Sequence, residues 1–513
     1  TLYVQSEVEP HLAINPTNPS NLIGVWQQDR WSDGAARGLV AATSFDGGAT
    51  WTQQGLPFSR CGGGTSINGG DFERATDPWV TFAPDGTAYF MSLSTSGGVF
   101  QTGSRNAMAV ARSGDGGRTW SAPISLIDDT APYFNDKNTI TADPTDARFV
   151  YATWDRLAQS GGGPAFFARS INGGASWEPA RAIFDPGPMA QTIGNLIVVL
   201  PSGSLVNMFT LIEEVSGQNQ AYVAVIRSND HGATWSAPIR LAEMLSVGAR
   251  DPQTGAAIRD GSILAQAAAG PDGSLVAVWQ DARFSGGSRD AIAFSRSMDG
   301  GLTWSNPLRI NPNPQFAAFT PSVHIRADGT IGITYYDLRD DTASQTTLLT
   351  SYFLARSSNG VDWSETRLCE PFDLAIAPNA RGYFLGDYQG LKSTDTSFVA
   401  FFARTSGDLA NRTDICGLRV SGTAISSLAE AAPSAQTIRL SEQRMDRYVG
   451  EAAPAKKPNE AHRRRVSENL ARRLNRPPAS AKPIAHSKKS PTPNPDNKTR
   501  KDSPERLKTV QSH

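Results

Sequence analysis

Along the first 440 residues the apolar positions come in short runs broken by Pro, Gly, Asn and Asp, and no stretch repeats with a helical period. His11–Asn15 leads through the turn Pro16–Asn21 to Leu22–Trp26. Trp79–Phe82 leads through Ala83-Pro-Asp-Gly86 to Thr87–Met91, and Leu196–Leu200 through Pro201-Ser-Gly203 to Ser204–Phe209. In each case a third run follows, at Gly38–Ala42, Ala107–Ala111 and Ala221–Ile226. Runs of this length with turn residues between them predict β-strands and an all-β protein.

One phrase closes the third run of every repeat. It reads Ser44-Phe-Asp-Gly-Gly-Ala-Thr-Trp51, Ser113-Gly-Asp-Gly-Gly-Arg-Thr-Trp120 and Ser170-Ile-Asn-Gly-Gly-Ala-Ser-Trp177. It returns as Ser228-Asn-Asp-His-Gly-Ala-Thr-Trp235, Ser297-Met-Asp-Gly-Gly-Leu-Thr-Trp304 and, one residue shorter, Ser357-Ser-Asn-Gly-Val-Asp-Trp363. Asp or Asn before glycine is turn chemistry, since the side chain caps backbone N–H groups and glycine accepts positive φ. The closing Trp is an apolar anchor suited to the space between packed sheets. Each copy is therefore expected to be a hairpin corner, a structural device and not a catalytic one.

The starts of the phrase are 69, 57, 58, 69 and 60 residues apart. A period of this size marks a repeat architecture. Four-stranded units that cannot bury their faces alone predict a β-propeller. A partial unit without the phrase follows at Gly386–Gly390, Phe398–Ala403 and Ile415–Val420. It makes seven blades the expectation, with six as the alternative if the last unit only completes the ring.

Charge divides the chain in two. From Ser441 onward there are 18 Lys and Arg against 8 Asp and Glu, whereas residues 1–440 hold 30 against 41. The first part contains only two lysines, Lys137 and Lys392, so its cations are nearly all the planar forks that suit carboxylates. Residues 1–440 are thus read as the propeller and 441–513 as a basic, Pro-rich disordered tail. Within that tail Glu460–Arg476 has the pattern of a short basic helix, with Val466, Leu470 and Leu474 on one stripe. The tail is also a candidate to contact an acidic surface.

Three cysteines, Cys61, Cys369 and Cys416, allow one disulfide at most, for which Cys369–Cys416 is the expected pair. No run is long and apolar enough for a membrane helix. The chain starts at Thr1, which fits an upstream signal segment and a secreted or periplasmic protein. No nucleotide-binding or specific nucleic-acid motif is present, and His11, His231 and His324 have no zinc spacing.

The repeated phrase resembles the Asp-box, or BNR repeat, of the sialidase (neuraminidase) superfamily, over about residues 9–420. Sialidases hold the sialate carboxylate with three arginines. They use a Tyr activated by a Glu as nucleophile and an Asp as acid/base. The resemblance implies a glycosidase of exo-sialidase type acting on acidic glycans or glycoconjugates. Where that family opens its first blade with Arg-Ile-Pro, this chain has Glu7-Val-Glu9-Pro10-His11. That difference supports the alternative, a non-catalytic propeller that binds glycan or protein.

Blade topology says where to look. The first strand begins and the second ends on the face opposite the turn phrases. Those positions carry Glu9, Asp77, Asp136 with Lys137, Arg259 with Asp260, and Asp387 with Tyr388. They also carry Arg30, Glu213 and Arg339. Crowded carboxylates raise one another's pKa toward values useful for acid catalysis. The expected catalytic groups are Asp77, Glu213 and Tyr388. The expected substrate-binding groups are Arg30, Asp136, Lys137, Arg259, Asp260, Arg339 and Asp387. No cofactor is required, although the acids Glu9, Asp77, Asp136, Asp260 and Asp387 have the hard-oxygen chemistry that Ca²⁺ takes.

Overall fold

A computed structural model describes residues 1–422, 424–428, 446–454 and 457–474. Among them the chain is β-strand and turn, with one α-helix, Glu460–Arg473. Each phrase-bearing repeat folds as a four-stranded antiparallel meander. The first comprises Leu2–Ile14, Leu22–Trp31, Ala36–Ser44 and Thr52–Gly55. Gly390–Thr394, Ser397–Thr405, Thr413–Ser421 and Ala424–Ser427 form a last meander, which lacks the phrase.

The first strands of successive repeats touch one another in chain order: Leu2–Ile14, Arg74–Phe82, Tyr133–Ala142, Ala190–Val199, Gln266–Ala269, Ala318–Ile325 and Gly390–Thr394. Leu2–Ile14 also touches the last meander, so the two ends of the β region meet. There the Glu9 N–H donates to the Leu385 carbonyl at 3.1 Å and the Asp387 N–H to Glu9 Oε1 at 3.3 Å.

The turn phrase behaves as its chemistry predicts. Ser44 Oγ donates to Asp46 Oδ1 at 2.8 Å and accepts from Gly48 N at 2.8 Å, while Thr50 N and Oγ1 donate to Asp46 at 2.8 and 2.6 Å. The same bonds recur at Asp115, Asp230 and Asp299. Three of the closing tryptophans lean on the neighbouring meander: Trp51 on Phe401, Trp235 on Phe167 and Trp363 on Phe294. Register fixes which end is which. Leu22 pairs with Ser44 and Arg30 with Ala36, so the phrase lies at the start of the second strand, away from Arg30.

Two expectations change. Described residues beyond 440 pack on the β region instead of standing apart from it. Asp446–Val449 adds to the edge strand Asp362–Arg367, and Glu451–Ala452 to Leu308–Arg309. The helix then packs Val466 and Leu470 into the core of the fourth and fifth repeats. The helix and its apolar stripe are those expected from the chain; what was not expected is that the stripe docks on the β region. Asn459 caps it by accepting from His462 N at 2.9 Å, and Arg472 and Arg473 occupy its last turn, where cations suit the helix dipole. The rest of the expected tail lies outside the described residues. Cys61, Cys369 and Cys416 form no disulfide, so the expected Cys369–Cys416 bond is not made. No helix among the described residues is long and apolar enough to cross a membrane.

Candidate functional site

Five of the seven first strands share a defect. Their ladders slip between Val8 and His11, between Thr76 and Trp79, between Ile193 and Leu196 and between Phe319 and Ser322. A slip also faces Asp136–Thr139. At each slip one residue takes a left-handed backbone: Glu9, Asp77, Lys137, Gly194 and Thr320, with φ between 49° and 70°. A bulge re-aims a side chain out of the regular alternation. Four of these residues are not glycine, and a left-handed non-glycine costs roughly 1–3 kcal/mol. Such strain collects at functional sites. Pro10, Pro78 and Pro321 follow three of the bulge residues, where a missing N–H does no harm to an already broken ladder.

The bulges bring Glu9, Asp77 and Lys137 together. Lys137 Nζ lies 3.1 Å from Asp77, 2.8 Å from Asp387 and 3.7 Å from Glu9. Arg259 Nη2 meets the same Asp387 at 2.9 Å. Arg259 is held by a short parallel ladder between Ile258–Arg259 and Tyr383–Phe384. Its guanidinium and that of Arg30 both sit over the Phe384 ring, at 4.3 and 4.8 Å. Arg30 donates to Gln27 Oε1 at 2.6 Å, and Gln27 in turn bonds Glu9 and Thr76.

These groups open onto a cavity of about 460 Å³, lined by Arg30, Asp77, Asp136, Lys137, Arg259 and Asp387 among others. Burial dominates its electrostatics. It pushes the Asp136 carboxyl up to about 6, against the pull of Lys137 and with help from Asp77. It pushes Glu9 up to about 8, offset in part by Lys137. For Asp387 burial is outweighed by Arg259, Lys137 and Arg473, which hold its carboxyl well below the usual range. The cluster thus sorts chemically similar carboxylates into proton holders and permanent anions.

Asp260 is fully buried and outside the cavity lining. It accepts from Ala249 N at 2.6 Å and from Gln280 at 3.0 Å, and pairs with Arg473 at 3.1 Å. The remaining expected site residues are elsewhere. Glu213 is tied to Arg240 at 2.7 Å outside the cavity lining. Tyr388 is buried against Trp79, and its hydroxyl donates to the Pro78 carbonyl at 3.1 Å. Burial drives its pKa up, with Glu9, Asp77 and Asp387 adding to the rise. Arg339 is spent on Asp337 and Glu365. Glu213, Tyr388 and Arg339 are thus outside the cavity lining, Glu213 and Arg339 each tied to a partner in its own repeat. Among the described residues no acidic cluster is arranged to hold a metal ion. Lys137 stands amid the acids expected for Ca²⁺.

Sequence reasoning missed Arg381, Arg472 and Arg473, all of which line the cavity. Arg381 lies in a loop without a pattern, and the other two lie in the stretch read as tail.

No protein-family model and no curated protein matches this sequence. Among solved structures the chain is similar to a Hadza microbial sialidase, at 16% identity and TM-score 0.43 over 69% of this chain and 67% of that one. It is similar to the intramolecular trans-sialidase from Ruminococcus gnavus, at 13% and 0.42 over 68% and 95%. It is also similar to an α-L-arabinofuranosidase from Fusarium graminearum, at 14% and 0.41 over 64% and 88%. Likeness at this level decides neither reaction nor sugar, and the functional reading rests on the cavity.

Proposed function

We propose that this chain is a seven-bladed Asp-box β-propeller that hydrolyses glycosidic bonds in acidic glycans. The cyclic contacts of the first strands support the blade count. One observation carries the function: Asp77, Asp136, Lys137, Arg259 and Asp387, from separate parts of the chain, converge on one cavity. Its volume lies in the range of small-molecule sites. Asp136, near 6, holds or releases a proton around neutral pH and serves as the acid. Its proton passes to the leaving oxygen as the glycosidic C–O bond breaks. Water adds to the anomeric carbon and gives its proton to Asp77, the second carboxylate of a two-carboxylate mechanism. The tyrosine nucleophile implied by the family resemblance has no part in this reading, because Tyr388 faces the core.

Release of a fluorophore from a panel of aryl glycosides, uronides and sialosides tests the proposal. Turnover that falls at least 100-fold in Asp136→Asn, a typical share for general acid catalysis, and persists in Tyr388→Phe and Glu213→Gln is the expected result. Equal loss in Tyr388→Phe would restore the tyrosine mechanism. A second reading, a glycan-binding protein without catalysis, is favoured by the engagement of Asp77 and Asp387 by Lys137, Arg259 and Arg473. No turnover on any substrate would select it.

A further inference from the structure

We infer that the C-terminal helix is a wall of the ligand cavity, and that its last turn sets a preference for a saccharide bearing an anionic group, carboxylate or sulfate. The inference rests on reading the cavity as a glycan site.

The helix has a seat made for it. A Cβ on Gly287 would lie 2.3 Å from the His462 ring, and one on Gly248 would lie 2.5 Å from Arg472 and 2.6 Å from Asn469. Asn469 is buried and its amide donates to the Ser246 carbonyl and to Ser262 Oγ, both at 3.3 Å. His462 Nε2 meets the Leu245 carbonyl at 3.0 Å, and Arg463 pairs with Glu243 at 2.6 Å. Buried apolar contacts at Val466 and Leu470 add to these bonds. A loosely held segment needs no such complementarity.

What the helix delivers is charge. Arg473 spans Asp260 at 3.1 Å and Asp387 at 3.3 Å, so it anchors the helix end to the acid cluster. Seven cationic side chains and five carboxylates line the cavity. Arg472 and Arg473 are two of the seven, and without them the signs balance. The surplus has no carboxylate of its own within the lining. Arg30 donates to the neutral Gln27 and its Nε has no partner. Arg472 donates to the neutral Asn469 and its Nη1 has no partner. Arg381 forms no ion pair among the described residues and stands on the rim. Guanidinium forks match the two oxygens of a carboxylate or sulfate, and such bonds are roughly twice as strong as neutral ones. A neutral sugar would leave them unmatched.

Calorimetric titration of the full chain with digalacturonate, its dimethyl ester and a sulfated galactose disaccharide tests this. The acid, the sulfate or both should bind at least about tenfold tighter than the ester, and that preference should shrink as salt rises from low to high. Arg472→Gln should weaken the anionic sugars about tenfold with the ester unchanged, Arg472→Lys should keep most of the preference, and Arg464→Ala, exposed on the helix, should change nothing. Equal affinity for acid and ester, or no binding of any of the three, would overturn the inference. So would a loss in Arg472→Gln common to acid and ester. If Arg472→Gln fails to fold, the salt dependence of the wild type decides alone. Selective anion binding without turnover of any glycoside would leave this inference standing and remove the hydrolytic one. Turnover of neutral glycosides only would do the reverse.

Discussion

Asp136 and Asp387 are carboxylates of one cavity with opposite fates. Asp387 is buried and Asp136 half-buried, and burial pushes both carboxyls up. Asp387 escapes because Lys137, Arg259 and Arg473 surround it, whereas Asp136 accepts from the backbone N–H of Lys137, at 3.0 Å, and pairs with no cation among the described residues. A pH profile of kcat/KM follows from this difference. If Asp136 is the acid, the active form is the protonated one, so the rate should fall as pH rises through about 6. Asp136→Asn should abolish that limb along with the activity. A wild-type profile flat from pH 5 to 8 would remove Asp136 from the role. The residue types here were readable from the chain, and Asp77, Asp136, Lys137, Arg259 and Asp387 were named from it. Their pKa order was not, because it depends on which cation stands beside which acid.

Among the elements, the turn phrase and the bulge do different work. The phrase holds a corner and fits it to its neighbour through its second glycine. At Gly117, φ is 95° and a Cβ would come within 2.7 Å of Ile23 Cδ1 and Thr43 Oγ1 in the preceding repeat. At Gly174 it would meet Tyr89 at 2.5 Å, and at Gly232 it would meet Phe167 at 2.6 Å. Gly117→Ala should therefore destabilise the protein by about 1–3 kcal/mol from backbone strain, with more from the clash. Denaturant unfolding would show this as a lower midpoint at unchanged slope. A neutral result would mean the corner is not a packing contact. The bulge was invisible as a pattern, since one extra residue in a strand leaves the apolar alternation nearly intact. Its one trace is proline after Glu9, Asp77 and Thr320.

For the whole molecule, the site depends on closure. Glu9 comes from the first strand and Asp387 from near the last meander, yet they share Lys137. Val8 and Leu12 are fully buried where the ends meet. Deleting residues 1–15 should cost more than one repeat's share of stability, because it opens the contact between the first and last meanders and exposes both cores. Loss of the near-ultraviolet circular dichroism signal and aggregation on size exclusion are expected. A monomer with native-like signal would show that the remaining meanders stand without that contact.

The division between sequence and tertiary structure is physical. Strands, turns and their period are local, set by side-chain alternation and by the conformational freedom of glycine, and the chain by itself determined them. The face to search also followed, because an antiparallel meander fixes which strand ends lie together. Side-chain partners did not, and so Glu213 and Arg339, each tied to a neighbour in its own repeat, were grouped with the cavity residues. Nor could composition show that a basic stretch ending in Arg472 and Arg473 returns to the cavity. Its few apolar residues count only once a seat exists, and the charge of its last turn acquires meaning only beside Asp260 and Asp387.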